Sequence, residues 1–423
     1  IVVGKFLGVD ALAGVGSTGS ITFLVLGLCN GVCAGFAIPV AQKFGQRDFD
    51  GLRRFVGNMI WLGCVIAAAV TLVTTLLCRQ ILLWMDAPAD TFSYAYDYIF
   101  VIFLGIPATM LYNLLSGILR SLGDSKTPLV FLIMCSLLNV ALDIVFILTL
   151  NMGVAGAAVA TVIGQFCGCG LALYFNLKKN HDIRLHFKGF RPHWKIIGQI
   201  YAIGLPSVVM VAIGSVMTFC MNKILIAYHS AKETAATAFG IYFKLNSFIF
   251  MPIFGLNNGV VSIIAYNYGA QHRRRMTETI KRSTIYASCI MLLGMSIFLS
   301  IPGTLLKIFD ATDTLLAVGV PALRIISLSF CMAGASIALT SAFQALGKSL
   351  YSMIISIIRQ LVFLVPLAYI LARYGAGIGN NDLVWWSYPI AEIAALTVSL
   401  LFFRHMYKTL IAKLPEHGPA ISE

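Results

Sequence analysis

Charge is scarce in this sequence. Asp, Glu, Lys and Arg together make up 11% of its 423 residues, while hydrophobic residues make up 59%. A soluble domain carries about a quarter charged residues, so a cytosolic globular enzyme and a disordered chain are both excluded. The ten cysteines lie in apolar stretches, form no CxxC and read as small hydrophobes, not as a disulfide scaffold. The seven histidines fall in loops or near the ends of apolar runs, and no metal-ligand spacing is seen. GxxxxGK[ST], HExxH and GxSxG are all absent, so no ATPase, protease or hydrolase machinery is expected, and the chain is read as no enzyme. The net charge of +13 is read as basic cytoplasmic loops, not as a nucleic-acid surface.

What the chain has in quantity is long apolar runs. A bilayer core needs about 20 apolar residues per helix. Runs at 17–42, 55–78, 94–118, 128–149, 154–176, 200–226, 236–265, 283–303, 316–343, 351–372 and 384–406 give eleven candidate spans. Residues 1–8 read as the end of a further span whose beginning precedes Ile1. Alternate loops are basic: Lys43 to Arg54; Arg120 and Lys126; the stretch from Lys178 to Lys195; Arg273 to Arg282; Lys348; and a tail with Arg404, Lys408 and Lys413. The intervening loops hold only Arg79, Lys232, Lys307 and Arg373. By the positive-inside rule the basic set and the C-terminus are cytoplasmic, and they meet anionic lipid.

The chain also repeats itself at an offset of 224. Gly31, Gly35, Ala41 and Gly45 match Gly255, Gly259, Ala265 and Gly269. Trp84-Met-Asp-Ala87 matches Ile308-Phe-Asp-Ala311, and Leu122-Gly-Asp-Ser125 matches Leu346-Gly-Lys-Ser349. The expected organisation is an N-lobe at 1–177, a basic inter-lobe loop at 178–196 and a C-lobe at 197–423. An even-numbered repeat enters the membrane from one side, which relates the lobes by an axis along the normal and puts a substrate path between them.

Ionisable groups inside a bilayer are costly and are functional candidates by default. Of the 17 acids, 15 fall in loops or at span ends. Asp143 and Glu392 remain. Asn139 and Asp143 are four residues apart, on one helix face. Together they offer oxygens to Na⁺ or H⁺; a hydrogen-bonded structural Asp is the competing reading. Glu392 is the secondary acidic candidate. It follows Pro389, which frees a backbone carbonyl, and a structural hydrogen bond from Glu392 to that broken turn is the competing reading. Of the intramembrane cations, Lys223 and Arg324 are read as snorkelling or capping. Lys244 and Arg359 are read as deeper partners of carbonyls or carboxylates. Pro39, Pro107, Pro252 and Pro366 suggest bent spans.

Three stretches in order carry a resemblance: Arg120-Ser-Leu-Gly-Asp-Ser-Lys-Thr-Pro128, Leu138-Asn-Val-Ala-Leu-Asp143 and Gly153-Val-Ala-Gly-Ala-Ala-Val-Ala-Thr161. With the opening Ile1 to Gly16, they resemble the multidrug and toxic compound extrusion (MATE) family, and within it the DinF-type branch. The resemblance implies an all-α polytopic fold of twelve helices in two six-helix lobes, with most of the first helix outside this chain. It implies a coupling-cation site in the N-lobe. There Asp143 and Asn139 match an Asp and an Asn on the fifth span, Thr161 a Thr on the sixth and, by a looser alignment, Tyr98 a polar aromatic on the fourth. The NorM-type branch places an acid after a Gly-Leu-Pro on the seventh span. Here Gly204-Leu-Pro206 is followed by no acid.

The expected activity is secondary antiport: export of amphipathic, chiefly cationic, organic compounds in exchange for H⁺ or Na⁺. No cofactor and no metal are expected beyond Na⁺ at Asp143. Small-molecule substrates and membrane lipid are the expected partners, the bacterial inner membrane the location, and a monomer the default state. The alternative is a lipid-linked oligosaccharide flippase of similar architecture. It needs extra Arg and Lys inside the N-lobe spans, and these are not seen.

Overall fold

A computed structural model describes residues 3, 6–85, 88–178 and 192–416. Most of the predicted inter-lobe loop (179–191), the end of the tail (417–423), and Asp86 and Ala87 of the repeat lie outside the described residues. Among the described residues every regular element is helical. This is what lipid demands, because a helix satisfies its backbone polar groups within one segment.

In the first half the helices are α1 (Val9–Ser17), α2 (Gly19–Gly45), α3 (Phe49–Leu76), α4 (Cys78–Trp84), α5 (Phe92–Leu104), α6 (Ile106–Ser121), α7 (Lys126–Ile144) and α8 (Gly153–Lys178). Then come α9 (Trp194–Tyr228), α10 (Lys232–Gly269), α11 (Arg273–Ser300), α12 (Pro302–Lys307), α13 (Asp313–Ser327), α14 (Phe330–Ala345), α15 (Ser349–Ile357), α16 (Val365–Ile378) and α17 (Ser387–Thr409). Among the described residues, nine stretches are long and apolar enough to cross a membrane, and eleven if two bent helix pairs each count as one span. The span count read from the apolar runs is therefore recovered.

The bent pairs are α5 with α6, at 45°, and α13 with α14, at 50°. The first break falls at Gly105, just before Pro107, whose ring lacks the N–H that a continuous helix uses. The second has no proline at the break. There the hydroxyls of Ser327 and Ser329 donate to the carbonyls of Arg324 (2.8 Å) and Ile326 (2.7 Å), local bonds that compete with the helical ladder.

The offset of 224 is written in the backbone as well as in the sequence. Left-handed φ values recur at Arg47 and Gln271 (both 56°), and at Gly123 (90°) and Gly347 (73°). Helices Phe49–Leu76 and Arg273–Ser300 correspond end to end, as do Ile106–Ser121 and Phe330–Ala345.

The chain divides into two compact units, residues 1–208 and 209–423, and the division falls inside α9. Unit 1 is built on α2 packed against α6, with α8 gathering α5, α6 and α7. Its core holds Phe36, Met59, Phe103 and Leu115. Unit 2 is built on α11 against α14, α10 against α11, and α17 against α14. Its core holds Phe239, Phe298, Phe330 and Trp385.

Candidate functional site

The unit 1 site begins with a seam of small residues. Gly156, Ala160, Gly164 and Gly168 are four apart on α8 and so share one face. Small residues let membrane helices approach closely. A Cβ on Gly164 would stand 3.3 Å from the Cys135 carbonyl oxygen and 3.6 Å from Asn139 Cβ. On Gly168 it would stand 2.9 Å from Cys135 Sγ. This seam draws α7 onto α8 at the level of Asn139. Much of the rest of α7 is open: Leu129, Val130, Ile133, Leu137 and Val140 are exposed, as apolar side chains can be in lipid.

At the seam Asn139 Nδ2 donates to Thr161 Oγ1 (3.2 Å), and Thr161 Oγ1 donates to the Ala157 carbonyl (3.0 Å). The Thr161 proton is thus spent on its own helix, and an oxygen lone pair stays free. One turn along α7, Asp143 Oδ1 is buried and has no hydrogen-bond partner among the described residues. Such a group costs about 1–3 kcal/mol when left unmade. It persists only where something else repays that cost. Immediately after it, residues Val145–Thr149 form a π-helical turn, a widening found often at functional sites. Tyr98, half-buried on α5, feels the charge of Asp143. Beside Thr161, Val162 fills the α5–α6 bend, where a Cβ on Gly105 would come within 2.5 Å of Val162 Cγ2. The hinge and the polar pair therefore share α8.

The structure brings Asn139 and Thr161 into contact, with Asp143 and Tyr98 in the same neighbourhood. Glu392 lies in unit 2 and joins none of them. It is 7% exposed, and Arg359 Nη1 lies 3.8 Å from its Oε1. That pairing was not legible from spacing, because 33 residues and a helix reversal separate the two. Pro389 sits in the first turn of α17, where a missing N–H costs little, so it does not break a helix as the sequence suggested. Lys244 is exposed, with Nζ 5.9 Å from the Phe309 ring centroid. Lys223 is likewise exposed, over the Phe219 ring at 5.7 Å. The sequence signal that was missed is the run of small residues at every fourth position of α8.

Three comparisons bear on what this arrangement is. The MatE family matches residues 1–145 and 206–370. Multidrug export protein MepA of Staphylococcus haemolyticus is 26% identical over 354 residues, covering 84% of this chain and 76% of that protein. The probable multidrug resistance protein YoeA of Bacillus subtilis is 26% identical over 414 residues, covering 96% and 87%. In fold, the crystal structure of MATE in the bent conformation matches with a TM-score of 0.90 at 23% identity, covering 97% of this chain and 90% of that one.

Proposed function

The chain belongs to the MatE family, the MATE family named from its motifs, and we propose that it is a secondary antiporter that exports amphipathic, chiefly cationic, organic compounds in exchange for H⁺ or Na⁺. The observation that carries the reading is Asp143 Oδ1, a buried carboxylate oxygen without a partner beside the Asn139–Thr161 pair. A carboxylate, an amide oxygen and a hydroxyl are the hard oxygen donors that a sodium ion or a proton takes up. The names of the relatives, a multidrug export protein (MepA) and a probable multidrug resistance protein (YoeA), support the substrate class. The lack of an acid after Gly204-Leu-Pro206 supports a site in unit 1.

In this reading the protein sits in the bacterial inner membrane as a monomer, with its basic loops cytoplasmic and in contact with lipid. Ion uptake at Asp143 alters α7 next to its π-helical turn. An ion shifts an equilibrium between outward- and inward-open states only if it binds the two unequally. A carboxylate that gains partners in one state and loses them in the other supplies that difference.

The test is uptake of a fluorescent organic cation into everted vesicles under an imposed pH or Na⁺ gradient. Asp143→Asn should abolish gradient-driven uptake while the protein stays in the membrane, and the gradient that works identifies the coupling ion. Unchanged uptake in Asp143→Asn would remove Asp143 from the mechanism.

A further inference from the structure

Unit 2 holds a second set of buried polar atoms that the antiport reading does not use. Tyr388 Oη, Trp385 Nε1, His229 Nε2 and Glu392 Oε1 are all buried and have no hydrogen-bond partner among the described residues. Two of their owners, His229 and Glu392, are only 6% and 7% exposed.

The side chains that carry them are linked through ring contacts and helix spacing. Tyr388 lies one turn before Glu392 on α17. The Tyr388 ring is 6.0 Å from Tyr242, and Tyr242 feels the charges of both Glu392 and Arg359. Phe239 bridges Tyr388 and Trp385, at 6.4 Å from each, and Trp385 is 6.4 Å from the His229 ring. His229 lies in the loop after α9, which Asn381 Nδ2 ties to the segment before α17 through Ser230 Oγ (2.5 Å). The row therefore runs from a basic-poor loop inward to Glu392.

The Arg359–Glu392 pair is a poor stabilising device. A buried ion pair repays its desolvation only with close geometry and further hydrogen bonds. Here the separation is 3.8 Å and Oε1 has no hydrogen bond. Arg359 projects from the π-helical segment Ile358–Leu364, a widening found often at functional sites. At the loop end, Nδ1 of His229 accepts the Ala231 N–H (3.1 Å), so the neutral ring carries its proton on Nε2. Burial holds this histidine below its ordinary value, while Asp382 pulls it up.

The groups that face Glu392 are Arg359 from the π segment and Tyr242 from α10. Helices α14 and α15, which also pack on α17, contain no Asp, Glu, Lys, Arg or His. Arg324 of α13 is exposed. Arg373 of α16 lies toward the loop end, as Asp382 does.

We propose that Glu392 is a second proton-exchange site, contained within unit 2, which takes up one proton at Oε1 as its pairing with Arg359 is released. The pair passes from neutral to singly positive, and no bond between heavy atoms changes. The site is distinct from Asp143 and does not depend on what the protein exports.

The test uses the purified full chain in lipid nanodiscs without substrate. Infrared difference spectra are recorded across a pH titration and read for the stretching band of a protonated carboxyl. Glu392→Gln should remove one titrating band that Asp143→Asn leaves in place. Arg359→Gln should move that band's midpoint to higher pH by about tenfold or more in proton affinity, since an adjacent cation favours the ionised form. If Glu392→Gln does not fold, the Arg359→Gln midpoint decides alone. A full set of bands in folded Glu392→Gln, or an unmoved midpoint in Arg359→Gln, overturns the proposal. Loss of transport in any variant has no bearing on either result.

Discussion

Replacing Thr161 by Val changes one hydroxyl and almost no volume. Both residues are β-branched, so the helix backbone and rotamer are preserved. What is lost is the acceptor for Asn139 Nδ2 at 3.2 Å, together with one oxygen that could hold an ion. The Thr161 bond to the Ala157 carbonyl also goes, but that carbonyl keeps its helical partner. A single hydrogen bond is worth about 1 kcal/mol net. At about 1.4 kcal/mol per decade, this corresponds to about a fivefold loss in apparent affinity for the coupling ion. The assay is gradient-driven dye uptake in everted vesicles, measured as a function of Na⁺ or H⁺ concentration. Thr161→Val should shift the half-saturating ion concentration upward about fivefold at similar maximal rate. Thr161→Ser, which restores the hydroxyl, should return most of it. Wild-type ion dependence in a well-inserted Thr161→Val protein would refute the reasoning. So would a Thr161→Ser protein as impaired as the valine variant.

Two further predictions concern stability. Gly35→Ala places a Cβ 2.5 Å from Gly204 Cα, backbone against backbone, so it should cost about 1–3 kcal/mol in thermal unfolding of the purified protein. Gly31→Ala, whose nearest heavy atom is 3.4 Å away, should be tolerated, and equal melting of the two variants would contradict the packing. Asp48 caps α3 by accepting Gly51 N–H (2.8 Å) and pairs with Lys43 (2.8 Å). The Lys43 hydrogen bond holds its carboxyl below the usual carboxylate range. The native state thus favours the ionised form, and its stabilising effect is full above the unfolded value of about 4 and lost as pH falls through the lower folded value. Asp48→Asn should therefore melt earlier at neutral pH and show less acid destabilisation over that window than wild type.

Sequence alone determined the environment, the span count and the repeat, and it singled out Asp143 as the candidate site. Each follows from a local rule: charge is too scarce for water, apolar runs have the length of a bilayer, and an acid in mid-span is costly. It also brought Asn139 and Asp143 onto one face, because four residues make about one helical turn. It could not tell which repeated positions matter. Gly35 and Gly259 are equivalent by the 224 offset. Yet Gly35 lies against Gly204, while a Cβ on Gly259 meets nothing within 4 Å among the described residues. Nor could periodicity find the π-helical turns beside Asp143 and around Arg359, or the meeting of Arg359 with Glu392. Those depend on which helices pack together. In a membrane the hydrophobic pattern does not specify this, since lipid is as apolar as the helix faces it covers. The choice falls to small residues such as Gly164, which permit close approach, and to polar atoms such as those of Thr161 and Glu392, whose partners exist only once the helices have met.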